Sequence, residues 1–237
     1  MFSSTTGTAG HQTFNDWFAP DSTQRHPLGQ IETAVDPYWG GGVFHYIESD
    51  DAILKGSLVV VDAEHKGDLL PSSVTQGFGW GVAMAPLADG DFGWIQYVGR
   101  AVYKTSSTVA AGGVLAIGAA GIVAATATGK QLIGVRNLIP ATGTITLTVT
   151  TTKGTGELKT SGYDGFFIGM ALSGTGVPSS TVVAGLSSDG TTIFTGSAIG
   201  TLGDKDSTAT GSITLTGTYT GYGSGYIHYP GTMQIVA

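Results

Sequence analysis

His11, His26, His45, His65 and His228 are the side chains best suited to hold a metal or to move a proton near neutral pH. No two of them stand at i, i+2 or i, i+4, the spacings that put two imidazoles on one face of a strand or a helix. The sequence therefore predicts no metal site and no cofactor. The densest polar cluster is Asp62, Glu64, His65 and Asp68. Carboxylates beside an imidazole suit acid–base or metal work, and the competing reading is a solvated loop after a strand. Asp50 and Asp51 read as an exposed turn. With no cysteine in the chain, disulfides, thiolate metal sites and a cysteine nucleophile are all excluded. GFGWGV at 77–82 and GTGVPSS at 174–180 contain GxG, but neither leads into a helix whose N-terminus could receive a phosphate. Around Ser224, GYGSGY carries Tyr222 where a nucleophile elbow needs glycine. No triad is visible, and the chain reads as no enzyme.

Aromatic residues supply the remaining candidates. Tyr219, Tyr222, Tyr226 and Tyr229 could line a carbohydrate groove, or they could pack where two parts of the chain meet. Phe14, Trp17 and Phe18 fall within five positions of a stretch without strand or helix periodicity. Three such rings are too few to form a core. They need an outside surface, either a scaffold or the rest of the fold, and they are the candidates for anchoring the protein to a scaffold. In GDFGWIQYVGRAVY, 90–103, alternation puts Phe92, Trp94, Gln96, Val98 and Val102 on one face and Ile95, Tyr97, Ala101 and Tyr103 on the other. Both faces are largely apolar, so something must cover each. Trp94, Tyr97 and Gly99 are the candidates for core or subunit interface. Gly99 would permit a bend or a close backbone approach.

The elements that position these residues are strands. The chain has 237 residues, 39 of them Gly, and only 11% are charged, the composition of a turn-rich all-β protein. Strands are predicted at 43–48, 57–62, 82–86, 92–103, 114–117, 122–125 and 131–136, separated by glycine turns and without intervening helical patterns. That spacing indicates a small β-barrel or sandwich. Composition changes near Pro140: 141–220 holds 21 threonines and no His or Trp. In TITLTVTT, Ile145, Leu147 and Val149 share one face and threonines the other, and GSITLTGTYT repeats the plan. Asp189-Gly190 marks a hairpin between two β-branched runs. Three regions follow: an extended N-terminal arm (1–30), a base domain (31–140 plus 221–237) that reads as a small β-barrel or sandwich, and an inserted Thr-rich all-β module (141–220). Met233 to Ala237 would supply the returning strand of the base.

Net charge is −7, with 12 acidic and 4 basic residues in 1–100 against 5 and 6 in 101–237. No cationic cluster exists to neutralise phosphates, which argues against nucleic acid as a direct partner. The opening residues lack the basic and apolar regions of a signal peptide. The run Val109 to Ala127 is too rich in Gly and Ala for a membrane span and reads as two short strands with glycine turns.

Several of these segments carry a resemblance. Leu28-Gly29, Gly42-Val43-Phe44-His45-Tyr46-Ile47, Lys55-Gly56 before a Val-rich strand, and Gly81-Val82-Ala83 come first. DFGWIQYVGRA, Ala111-Gly112-Gly113-Val114-Leu115, Gly121 and Ile133-Gly134-Val135-Arg136 follow. Together these span roughly 28–136 and resemble capsid decoration (cement) proteins of tailed bacteriophages. SGTGVPSSTVV, with Ile168-Gly169-Met170 before it, resembles Ig-like or small β-sandwich appendages of phage virion proteins, which implies that the inserted Thr-rich module 141–220 is a β-sandwich of Ig-like type. The resemblance implies a structural virion protein on the outer capsid surface, bridging subunits of the major capsid protein as a homo-oligomer, dimer or trimer. A binding module that recognises glycans on a virion or cell surface is the alternative.

Overall fold

The computed structural model describes residues 3–4, 17–36, 38–72, 80–106, 109–125, 131–163 and 165–227. The fold is all-β. Its base contains β1 (Ser3–Ser4), β2 (Ile31–Asp36), β3 (Gly40–Ser49), β4 (Leu58–Val61), β5 (Lys66–Leu69), β6 (Trp80–Ala83) and β7 (Phe92–Lys104). Then come β8 (Val114–Ile117), β9 (Val123–Ala125) and β10 (Gln131–Arg136). The Thr-rich region forms β11 (Thr142–Thr151), β12 (Glu157–Lys159), β13 (Ala171–Ser173), β14 (Thr181–Leu186), β15 (Thr192–Gly196) and β16 (Gly211–Thr220). β17 (Tyr222–Ile227) completes the set.

In the base, β3, β5, β4, β6 and β7 pair in that order, and β7 pairs back onto β3, which closes a five-stranded ring. β2 flanks β3, and β17 runs beside the second half of β7. The ring closes because β7 bends. Val43 pairs with Val98 but Phe44 with Gln96, leaving Tyr97 as an extra residue on β7. Just beyond this bulge Gly99 has φ +107, and a Cβ there would fall onto the carbonyl oxygen of Gly41. Only glycine fits both demands.

Each face of β7 is covered by a different part of the chain. Ile95 and Tyr97 join Ile47, Val59, Ala83 and Leu87 in a core to which the strands of the ring contribute. Ala101 and Tyr103 pack with Leu115, Ile117, Val123 and Leu132 of the three-stranded sheet β10-β8-β9. β8 and β9 are the two short strands expected in 109–127. Phe92, Trp94 and Val102 belong to the largest cluster, which runs from Trp17 and Phe18 through Phe44 and Tyr46 to Phe166, Phe167 and Leu215 of the Thr-rich region.

Two expectations change here. The N-terminal stretch is not a free arm from Trp17 onward. Trp17 is 1% exposed and its ring lies 4.7 Å from that of Trp94, while Asp21 and Phe92 exchange backbone hydrogen bonds of 2.8 Å. The Asp21 carboxylate also accepts from Tyr46 Oη (2.9 Å) and pairs with Arg25 (2.9 Å). Burial of aromatic rings against the open face of β7 explains this placement. Second, the module expected as a sandwich closes as a six-stranded antiparallel barrel in the order β11-β12-β15-β14-β13-β16. β11 and β16 pair in register from Thr142 opposite Thr220 to Thr151 opposite Gly211, leaving no open edge. Thr144, Thr146, Thr148 and Thr150 face water and Val149 is buried, as the alternation predicts. The strand that returns to the base is β17; the expected one at Met233 to Ala237 lies outside the described residues.

Candidate interaction site

The residues singled out in the sequence divide between the interior and one surface. Phe14 and Tyr229 lie outside the described residues. Trp17 and Phe18 are buried against their own chain, so they present no surface to a scaffold, and the expectation that they do is corrected. Trp94 is 1% exposed and ringed by Trp17, Tyr46 and His26. Tyr97 points into the ring core, and its hydroxyl lies 3.1 Å from His45 Nδ1. Of the tyrosines, Tyr219 and Tyr222 pack against Phe167 at ring distances of 5.3 and 5.7 Å, where the module meets the base. Tyr226 is 54% exposed.

The fold also builds three groupings that no sequence spacing announces. The first joins His45 to His65, with Nε2 3.2 Å from Nδ1 and the rings nearly perpendicular. Burial, reinforced by the charge of His65, pushes His45 down to about 4, so it is neutral at pH 7. His65 itself sits at φ 64, its imidazole filling the space a side chain at Gly29 would take. Asp62, predicted to share a cluster with His65, instead accepts from the backbone N–H groups of Glu64 and Lys66 and fixes the turn. Among the described residues no group of three or more His, Asp or Glu is placed to hold a metal ion.

The second grouping centres on Lys55. Its ammonium donates to the Ile168 carbonyl of the module and stands 5.4 Å from the Phe18 ring centroid. Desolvation alone pushes it down to about 7. Base, module and N-terminal segment meet at this one side chain.

The third lies on the surface beside that junction. The Arg100 guanidinium stacks on Trp39 at 4.3 Å and lies 5.2 Å from the Tyr38 ring centroid. Tyr226 is directly opposite Arg100 across the β17–β7 pairing, which puts the two side chains on one face. Arg100 Nε is buried without a hydrogen-bond partner among the described residues, and none of the ion pairs found there includes Arg100. A cation against the Trp39 ring, flanked by the exposed Tyr38 and Tyr226, has the make-up of an interface hot spot.

Fold and site together define an all-β protein whose most distinctive exposed chemistry is an aromatic–arginine patch. No protein-family model, curated protein or solved structure matches the chain.

Proposed function

We propose that the protein is a structural virion protein that decorates the outer surface of a tailed-phage capsid and reinforces the joints between major capsid protein subunits. One observation carries this reading: several of the residues in which the sequence resembles decoration proteins stand at close backbone approaches or in the buried core of the fold, Gly81, Gly99, Gly121 and Trp94 among them. Gly99 lies against the backbone of Gly41 and Gly42. A Cβ on Gly81 would sit 3.0 Å from the Gln96 carbonyl oxygen, and one on Gly121 3.2 Å from that of Leu58. Trp94, from the same motif, fills the largest cluster.

In this reading the protein acts through copy number and surface. It has no catalytic role and no cofactor, it contacts neither nucleic acid nor membrane, and it assembles as a homo-oligomer. Purified virions separated on a stained gel test the proposal. A stoichiometry comparable to that of the major capsid protein is expected. A few copies per particle, as for a vertex or tail component, would overturn it in favour of a surface- or glycan-binding module, for which exposed Tyr226 is the supporting feature.

A further inference from the structure

We infer that the Arg100 patch is a docking site for an acidic turn of a second copy of this chain, so that copies associate head to tail. Three features on the patch call for an anion. Burying a guanidinium N–H without an acceptor is unfavourable. Arg100 Nε is in that state, and the neighbouring rings supply no carboxylate to relieve it. Arginine presents its donors in a planar fork that a carboxylate fits in bidentate fashion. Stacking on Trp39 fixes the plane of the fork beside Tyr226.

The complementary surface is at the other end of the same strand. Where β7 begins, the turn at Asp50 and Asp51 meets the turn at Asp89, held by Gly90 N–H to Ser49 O (2.8 Å) and Ser49 N–H to Asp91 O (2.7 Å). Asp50 is paired with Lys66 at 3.1 Å, and Asp91 accepts from Ala88 N–H at 2.8 Å. Asp51 and Asp89 are exposed and belong to none of the ion pairs among the described residues. Gly42–Glu48 of β3 runs opposite Gly99–Phe92 of β7, six steps at about 3.3 Å each, so this end and Arg100 stand roughly 20 Å apart. One copy therefore carries its uncompensated carboxylates and its uncompensated guanidinium too far apart to satisfy each other. A second copy brings them together. Such a contact is heterologous: it propagates from copy to copy and closes into a ring where the rotation allows.

Sedimentation velocity of the purified full-length chain over a concentration series, at low and high salt, tests this. Wild type is expected to associate in a concentration-dependent way, less so in high salt. Arg100→Glu and the double variant Asp51→Lys/Asp89→Lys should each weaken association by at least about thirtyfold, the scale of a hot-spot residue. An equimolar mixture of the two should associate again, because the acidic turn of one meets the intact Arg100 of the other. The lysine substitutions lie on exposed turns, so they decide the matter even if Arg100→Glu fails to fold by circular dichroism. A wild type that stays monomeric at the highest concentration reached, or charge variants that associate as tightly as wild type, would overturn the inference. Because only the purified chain is used, the outcome is independent of whether the protein is found on capsids.

Discussion

Replacing Lys55 with methionine keeps the length of the side chain and removes its charge, and the effect on stability should depend steeply on pH. The folded chain holds the Lys55 ammonium down at about 7 against an ordinary value of 10.5. Between these two values the unfolded chain binds a proton that the folded chain does not, so stability rises with pH across the window and levels off above 10.5, where the unfolded chain loses that proton as well. In that window the unfolded state is the more protonated one, and wild-type stability falls as pH is lowered from 10.5 towards 7, by at most about 1.4 kcal/mol per pH unit. Below pH 7 both states are protonated and the full cost of burying the charge is present, on the order of 5 kcal/mol. Methionine abolishes that cost but leaves the Ile168 carbonyl without its donor, a loss of about 1–3 kcal/mol. Lys55→Met should therefore be more stable than wild type at neutral pH by about 2–4 kcal/mol, and the advantage should vanish or reverse near pH 10. Urea denaturation of both proteins across this range measures the difference directly, and subtraction cancels every other titrating group. Two curves that stay parallel from neutral to alkaline pH would refute the reasoning, because they would mean that Lys55 has the same proton affinity folded and unfolded.

Trp94→Ala should lower stability by about 3–5 kcal/mol, since a fully buried ring is lost from the largest cluster; a denaturation midpoint equal to that of wild type would contradict the placement of β7. Gly99→Val should cost at least about 3 kcal/mol, because a branched residue would have to adopt φ +107 with its Cβ on the Gly41 carbonyl. Gly90→Ala, at a positive-φ turn open to water, serves as its comparison and should cost less in the same melting assay. His45 is held neutral down to about pH 4, whereas in the unfolded chain it protonates near 6.5. Below pH 6.5 the unfolded state thus binds the extra proton and stability falls, by up to about 3 kcal/mol at pH 4; His45→Gln should flatten that part of an acid-denaturation profile.

Alternation makes much of the fold legible in the sequence alone. TITLTVTT and GSITLTGTYT, the Asp189-Gly190 hairpin and the long strand around Trp94 all follow from period-two patterning and turn chemistry. β2 is harder to read because its polarity is reversed: Ile31 and Val35 face water while Glu32 is buried. β5, Lys66–Leu69, is a strand of low propensity, with Gly67 placed where the side chains of Ile47 and Val59 occupy the space a Cβ would need. Tertiary packing decides such a segment. Trp17 and Phe18 stand out as rings in search of a surface, but nothing local says whose surface. The His45–His65, Lys55–Ile168 and Arg100–Trp39 contacts are invisible to local patterning for the same reason. Lys55 and Ile168 are 113 positions apart, and only the completed topology brings them together.

The two ends of the Thr-rich barrel have a kinetic consequence for the base. Gly221 N–H donates to Ala141 O at 2.7 Å, so the segment leaves the base and rejoins it one hydrogen bond apart. β17 is synthesised long after β10, yet it must find its place beside β7. With the intervening chain unstructured, that search would mean closing a loop of about eighty residues. A module that folds first brings its own ends together and shortens the search to that of a tight turn, which recovers roughly 2 kcal/mol of closure entropy. To the late-arriving strand, the whole inserted barrel is then no more than the bend of a hairpin, and the order in which the chain emerges ceases to slow its assembly.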